Sequence, residues 1–386
     1  MDFNFHTSQI EISQSAYAHN IKFLKGYLKD NVQISSVVKG NAYGHGIANI
    51  VSLAEENGIR HFSVFSADEA KTVKEVSQYN SQIMIMGYVE NEQLEWAIVN
   101  DIACYMFDLK RLAQAISFAK NLNKTVKVHI EVETGMHRTG FDTNEIPKVI
   151  QLLKEHKNTL IFEGLCTHYA GAEEIANYYR IKKQQKKYRA IVKRFHQEEL
   201  IPKKHHTACS AATLRYPKTQ GDMVRLGIVQ YGFFPTKEVL IHYLEKSEIK
   251  EDPLQRLLKW KTKVMDVKHI KTGDFVGYGT SYMASTPMKI ATIPVGYSHG
   301  FSRTLSNQGR VLIAGQRVPV IGVVNMNMMI VDVTSIDEVS KNDEVVLIGR
   351  QGELEIGVAS FSEFSNQINY EMLTRLPNEL PRKIVP

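Results

Sequence analysis

Eight short strand-like runs alternate with helical patterns through the first 240 residues, and this alternation restricts the fold more than any other feature of the chain. The runs are 32–38, 61–65, 82–86, 101–106, 126–133, 160–167, 204–209 and 223–231. Ile83-Met84-Ile85-Met86 is apolar throughout, as befits a parallel strand covered on both faces. Val126, Val128, Ile130 and Val132 alternate with polar residues, the period of a strand with two unlike faces. Between the runs, Ile47, Ile50, Val51 and Ala54 recur at helical spacing and Gly58 supplies a stop. Ser66-Ala67-Asp68-Glu69 has the capping-box form that opens a helix. Strands separated by helices pair in parallel through right-handed crossovers. Eight such units predict an α/β fold, a (β/α)8 TIM-type barrel, with an open doubly wound sheet as the competing arrangement.

After about residue 240 the texture changes. Lys261-Thr262-Lys263-Val264-Met265, Gly315-Gln316-Arg317-Val318 and Ile330-Val331-Asp332-Val333 read as strands. Thr272-Gly273-Asp274 and Asn307-Gln308-Gly309 read as turns between them. The expected organisation is a barrel over 1–240 and a mostly β C-terminal domain over 241–386, with the first ten residues pairing with the β domain.

Composition excludes several classes. With 43% hydrophobic and 23% charged residues the chain is globular and not disordered. Cys104, Cys166 and Cys209 are too few and scattered for a disulfide framework or a metal site, and they fit a reducing compartment. No apolar run reaches the roughly 18 residues of a membrane helix, and the first residues do not resemble a secretory signal. A cytoplasmic protein is expected. The net charge of +6 does not point to nucleic acid, because the one basic run, Lys182-Lys183-Gln184-Gln185-Lys186-Lys187, lies in a helical pattern and reads as a solvated face. It suits anionic substrates and a phosphate cofactor.

In a barrel, chemistry gathers at the C-terminal ends of strands. Lys39, Arg138, His168, Ser210 and Arg225 all fall at or near such ends. Lys39 follows an apolar strand and precedes a glycine-rich turn, Gly40-Asn41-Ala42-Tyr43-Gly44-His45-Gly46. Glycines let backbone approach a ligand closely, and a lysine in such a pocket can lose its proton and act as a nucleophile.

These residues carry a resemblance. Val38-Lys39-Gly40-Asn41-Ala42-Tyr43-Gly44-His45-Gly46 resembles the pyridoxal-phosphate (PLP) signature of the alanine racemases. Glu133-Thr134-Gly135-Met136-His137-Arg138-Thr139-Gly140, Thr167-His168-Tyr169-Ala170, Ser210 to Arg215, Val224 to Ile228, Val276-Gly277-Tyr278-Gly279 and Pro294 to Tyr297 recur in the family's order. The resemblance implies a PLP-dependent racemase acting on a small amino acid, alanine above all, for cell-wall D-alanine supply. It further implies a homodimer in which each site takes residues from both chains, with no nucleic-acid or membrane partner. Lys39 is implied as the Schiff-base lysine and one proton-transfer base, and Tyr278 of the second chain as the other. Tyr278 is preferred to its neighbour Tyr282 because it lies within the motif. Two bases on opposite faces are what a racemase needs. Free tyrosine has a pKa of ~10, so a nearby cation must help it, and His168 is the candidate. Arg225 is implied to face the pyridine nitrogen, and Tyr43, Ser210, Gly227 and Ile228 to hold the phosphate. Arg138, Tyr297 and the Met326 amide are implied to complete the substrate site.

Four positions depart from the pattern. A lysine that the family often carbamylates is Glu131 here, either a permanent counter-charge for Arg138 or a solvated strand residue. The usual Met-Asp pair reads Met326-Asn327, Cys209 replaces a common Asn, and a phosphate-contacting tyrosine aligns with Asn378. A broader amino-acid racemase, acting on serine or others, is therefore the alternative. A PLP-dependent decarboxylase would need a β-domain cysteine, and all three precede residue 240. A non-catalytic PLP carrier would resemble the barrel alone.

Overall fold

The computed structural model describes residues 6–362 and 369–386. They form two compact units. The first comprises Ala16–Lys39 and Ile50–Gln255; the second gathers the chain up to Ser15, Gly40–Asn49 and Arg256–Pro386. The division falls at Gln255 because the helix Lys237–Lys246 and the segment after it stay with the barrel. Asn20 fixes that segment, donating from Nδ2 to the Gln255 carbonyl at 2.8 Å and accepting the Gln255 amide at 2.8 Å.

The strand Gln9–Ser13 (β1) belongs to the second unit. The barrel strands follow as Gln33–Val37 (β2), His61–Val64 (β3), Gln82–Ile85 (β4), Ala103–Met106 (β5), Val126–Glu131 (β6), Leu160–Cys166 (β7), Lys204–His206 (β8) and Met223–Leu226 (β9). All neighbours pair in parallel, in the order β8-β7-β6-β5-β4-β3-β2-β9. The circle closes between β8 and β9 through Asp222 N–H to His205 O at 2.9 Å and Arg225 N–H to Ala208 O at 3.0 Å. Each expected run thus holds a strand, the last two cut short. After His206 the chain turns into the helix Ser210–Arg215, and at Gly227 it enters a 3-10 turn, Ile228–Tyr231.

Helices separate the strands, and the expected signals act with one difference. Ile47–Glu56 buries Ile50, Val51 and Ala54 completely, and Gly58 ends it at φ 76°. Ala67–Val76 does start after Ser66, but Ser66 makes no side-chain cap; Glu69 instead accepts the Phe65 amide at 2.8 Å. In β6 the alternation is real, yet both faces are covered. Val126, Val128 and Ile130 are buried, and so are His129 and Glu131 between them. The polar face lines the barrel interior.

In the second unit the strands are Leu258–Lys263 (β10), Asp266–Ile270 (β11), Met288–Ile293 (β12), Arg310–Ile313 (β13), Gln316–Ile321 (β14), Met329–Asp332 (β15), Glu344–Gln351 (β16), Leu354–Ile356 (β17) and Arg382–Val385 (β18). Their order is β11-β12-β15-β14-β13-β16-β10-β1-β18, with β17 beside β16. The N-terminal strand β1 is wedged between β10 and β18. Trp260 on β10 is fully buried and donates its indole N–H to Ser8 Oγ at 2.7 Å.

The segment after Lys39 has a feature that the sequence hinted at only through its glycines. Gly40, Asn41, Ala42 and Tyr43 all have positive φ, at 62°, 51°, 53° and 52°, making one left-handed helical turn. Such a conformation costs an L-residue about 1–2 kcal/mol, so three non-glycine positions there need support. Gly44 N–H bonds Gly40 O and Gly46 N–H bonds Asn41 O. The C-terminal segment adds ties: Asn41 Nδ2 donates to Asn378 Oδ1 at 2.8 Å, and Arg382 Nε to Gly44 O at 2.8 Å. Gly44 sits at φ 81°, and a β-carbon there would lie 1.9 Å from Leu373 O. Gly44→Ala should therefore lower folding stability by at least about 2 kcal/mol in urea unfolding. A change within about 0.5 kcal/mol would show that the turn relaxes freely.

Candidate active site

Arg225, at the end of β9, is 4% exposed and therefore a buried guanidinium. Burying such a charge is costly unless it is hydrogen-bonded. Four bonds satisfy it. Nη1 donates to His206 Nδ1 at 2.5 Å and His206 O at 2.9 Å; Nη2 donates to Thr167 O at 3.0 Å and Thr207 O at 3.3 Å. An arginine has five donors, and among the described residues only its Nε–H has no partner. Burial works against its charge, but Tyr105, Cys166, Cys209 and Glu131 outweigh it and raise its pKa.

This charge dictates the histidines behind it. His206 must accept at Nδ1, so its proton lies on Nε2, facing His129 Nδ1 at 2.8 Å. His129 then carries its own proton on Nε2. Burial, followed for His206 by the Arg225 charge, pulls both far below the usual range, so both are neutral. They can touch because Gly164 of β7 lies between their strands. A β-carbon there would stand 2.1 Å from His129 Nδ1 and 2.8 Å from His206 Nε2.

Lys39 closes the first barrel unit just beyond β2. It keeps contact with solvent, but loss of hydration, then the Arg138 charge, lowers its pKa. Arg138 stands in the loop after β6 and is exposed. Glu131 is 5% exposed, so it is not a solvated strand residue. Burial raises its pKa, opposed by a Thr139 hydrogen bond and by Arg225 and Arg138. Among the described residues no ion pair joins Glu131 to Arg138, so Glu131 acts on both arginines through the field. Glu133 is spent on the loop, accepting the amides of Gly135 and, at 2.7 Å, His137.

His168 is half-buried, and desolvation together with the Arg225, Arg138 and Lys39 charges lowers its pKa to about 3. It is a neutral imidazole, which corrects the expectation that it supplies a cation. What holds its backbone went unnoticed in the sequence. Gln184, 1% exposed on the helix Tyr178–Gln197, donates from Nε2 to His168 O at 2.9 Å and Thr134 Oγ1 at 3.2 Å. Its Oε1 accepts the Ala170 amide at 2.9 Å. One glutamine thus ties together the loops after β6 and β7. Its only sequence signal was two amides amid a basic helical run.

After β8 and β9 the backbone forms a small cradle. Ser210 Oγ accepts the Gly227 amide at 3.0 Å, and the Ile228 N–H has no partner among the described residues. Beside it the Cys209 thiol is pushed up by burial.

The remaining expected residues lie in the second unit. Tyr43 ends the left-handed turn, with its ring edge-on to Tyr370 at 6.1 Å. Tyr278 stands between Gly277 at φ 73° and Gly279 at φ 70° and is 76% exposed. Tyr282 is partly buried against the sheet, its hydroxyl 3.8 Å from Met288 Sδ. Tyr297 and Met326 are joined by their loops: Tyr297 N–H bonds Asn325 O at 3.0 Å, and Ser298 Oγ bonds Met326 O at 2.7 Å. Asn327 donates to Ser298 Oγ at 3.0 Å.

A barrel with a lysine ending its first strand, a hydrogen-bonded arginine in its last and a following β unit is the architecture of the barrel-plus-β PLP racemases. The comparisons agree. The alanine racemase N-terminal domain matches residues 12–235 and the alanine racemase C-terminal domain residues 257–384. The chain belongs to the alanine racemase family, whose members are PLP-dependent isomerases. It is 33% identical over 376 residues to alanine racemase 1 of Caldanaerobacter subterraneus, covering 97% of this chain and 94% of that one. The solved alanine racemase of Bacillus anthracis with bound L-Ala-P is similar at a TM-score of 0.90 and 31% identity, over 100% and 96% of the two chains. A histidine racemase from Leuconostoc mesenteroides is similar at 0.88 and 28%, over the full length of both. Among the described residues no helix is long and apolar enough to cross a membrane, and no cluster could hold a metal.

The histidines make stability depend on pH. His61 and His168 fall to about 3, and His129 and His206 lie well below the usual value. Each is neutral when folded but titrates near 6.5 when unfolded. The unfolded state therefore gains protons first, and stability falls as pH drops below about 6.5. Each such histidine contributes a slope of roughly 1.4 kcal/mol per pH unit below that point until its folded pKa is reached. Melting temperature should drop steeply from pH 7 to 5, and less steeply in His61→Gln. A flat profile would contradict the neutral assignment.

Proposed function

We propose that this chain interconverts L- and D-alanine in the cytoplasm, with PLP held covalently on Lys39 Nζ and with sites shared between two copies of the chain. The observation that carries this reading is the donor set in one barrel. A lysine with a lowered pKa and a buried arginine with one unspent N–H accompany an amide cradle after the last two strands. That set fits PLP: Arg225 Nε–H would meet the pyridine nitrogen, and Tyr43, Ser210, Ile228 and, on exchanging its bond to Ser210 Oγ, the Gly227 amide would hold the phosphate. Bound PLP acidifies the substrate's Cα–H by withdrawing electrons.

The protein's groups do the rest. Arg225 keeps its proton at any working pH. It therefore leaves the ring nitrogen unprotonated and limits electron withdrawal to what proton exchange at Cα requires. Lys39 Nζ takes or returns the proton on one face, and Tyr278 Oη of the second copy serves the other. The exposure of Tyr278 supports its reaching a partner chain. His168, being neutral, would orient the tyrosine by hydrogen bonding. Arg138, the Met326 amide and Tyr297 would receive the substrate. D-Alanine of this kind would serve cell-wall precursors.

A second reading, racemisation of larger side chains, draws on Asn378, where the family's ring is replaced by an amide bound to Asn41.

Incubation with each L-amino acid followed by chiral chromatography tests both readings. Alanine should racemise fastest; a larger substrate ahead of it would favour the second, and none reacting would refute the proposal. Borohydride should fix PLP to Lys39 and to no other lysine. Tyr278→Phe should lose at least ~100-fold activity while retaining PLP, and mixing it with Lys39→Ala chains should restore some activity in mixed dimers. No rescue after proven subunit exchange would refute the shared site.

Glu131 gives a separate prediction. Its buried carboxylate is the counter-charge for Arg138 and Arg225, so Glu131→Gln should raise KM more than it disturbs PLP retention. Unchanged kcat and KM would show that the charge is not needed.

A further inference from the structure

The helix Tyr178–Gln197 carries eight lysines and arginines and no acidic residue, a larger charge than the +6 of the whole chain. Among the described residues none of the eight is in an ion pair. Lys182 and Lys186 stack at i,i+4, as do Lys183 and Lys187, a like-charge arrangement that opposes the helix. The basic residues in its first turns also oppose the helix dipole. Nothing in the barrel reading uses this charge.

Beside the helix lies a cleft of about 490 Å³, walled by Lys182, Arg189, Arg215, Lys218, Tyr188 and Tyr216, with no acidic residue in its lining. Its size is that of a small-molecule site. Arg215 is itself fixed, donating from Nη1 to Ala172 O at 3.1 Å. Lys182 and Arg215 converge on the Tyr216 ring at 5.8 and 5.6 Å from its centre. Four cations around one concavity, without acids between them, focus a strong positive potential into it. A solvated face accounts for the outward lysines but not for this convergence.

We propose that this cleft binds a small anion bearing two or more phosphate groups, on the outside of the barrel and independent of the PLP-binding residues. The linked phosphates would be gripped by Lys182, Arg189, Arg215 and Lys218.

The test is calorimetric titration of the purified protein with inorganic phosphate, inorganic pyrophosphate and ATP at about 0.1 M salt, where exposed charges are well screened. Pyrophosphate and ATP should bind saturably and at least ~10-fold tighter than phosphate, a difference of about 1.4 kcal/mol. ATP exceeding pyrophosphate would add a contribution from the tyrosine walls; equality would assign the affinity to the phosphates alone. The triple variant Lys182→Ser, Arg189→Ser, Lys218→Ser alters exposed side chains only. It should weaken pyrophosphate binding at least ~10-fold and leave racemisation unchanged. The control triple Lys183→Ser, Lys186→Ser, Lys193→Ser removes equal charge from the same helix outside the cleft and should weaken binding no more than ~3-fold. Absence of saturable binding, or equal losses in the two triples, would overturn the site and leave a solvated basic face or a diffuse polyanion surface.

Discussion

A guanidinium buried in the middle of a barrel cannot be placed loosely, and much of the first unit is arranged around that of Arg225. Its four bonds come from β8 and the turns after β7 and β8, so those backbone segments must hold their carbonyls in register for the charge to be tolerated. The requirement passes outward. His206 is forced into one tautomer, His129 accepts what His206 must donate, and Gly164 is the residue that lets them meet. A buried polar network of this kind is stable only when every member is satisfied. Its consequence for function is rotational. With both terminal nitrogens committed, the guanidinium presents one N–H in one direction.

The second constraint is local strain. Lys39 stands at the junction between an ordered strand and a left-handed turn in which asparagine, alanine and tyrosine adopt backbone angles they disfavour. Strain of this sort persists only where surroundings over-determine it. Here they do so through Asn378, Arg382 and the close approach of Leu373 O to Gly44. The turn fixes the backbone from which Tyr43 projects. The far C-terminus of the chain therefore helps position a residue near its start.

How much of this was legible depended on the range of the interaction. The eight barrel strands follow from runs of a few residues, so periodicity located every one of them; only their ends moved, where Gly227 and the turn after His206 broke the pairing. The lysine, the arginines and the serine stood out because their place at strand ends is a local property. The Gln184 clamp and the His206–His129 pair join residues 14 to 77 positions apart, and no spacing rule announces them. Glu131 was readable as a departure, but its burial was not, since β6 alternates polar and apolar residues as a half-exposed strand would. Tyr278 is preferred to Tyr282 on its motif alone; that the first stands out in solvent and the second packs against the sheet is a tertiary fact no local pattern carries.

The charge balance of the barrel ties these observations to chemistry. Lys39, Arg138 and Arg225 all bear on His168, and together with its desolvation they hold it neutral. The mouth sets these cations against the buried Glu131, while Glu133 is spent on loop amides and Glu69 acts on Lys39. A dianionic phosphate and a substrate carboxylate are the groups that would complete it. A phenol brought near His168 would therefore meet an uncharged ring. A neutral imidazole can still orient that phenol by a hydrogen bond without contributing charge of its own. The cations gathered around Arg225's locked fork thus suit the anionic groups of the proposed cofactor and substrate.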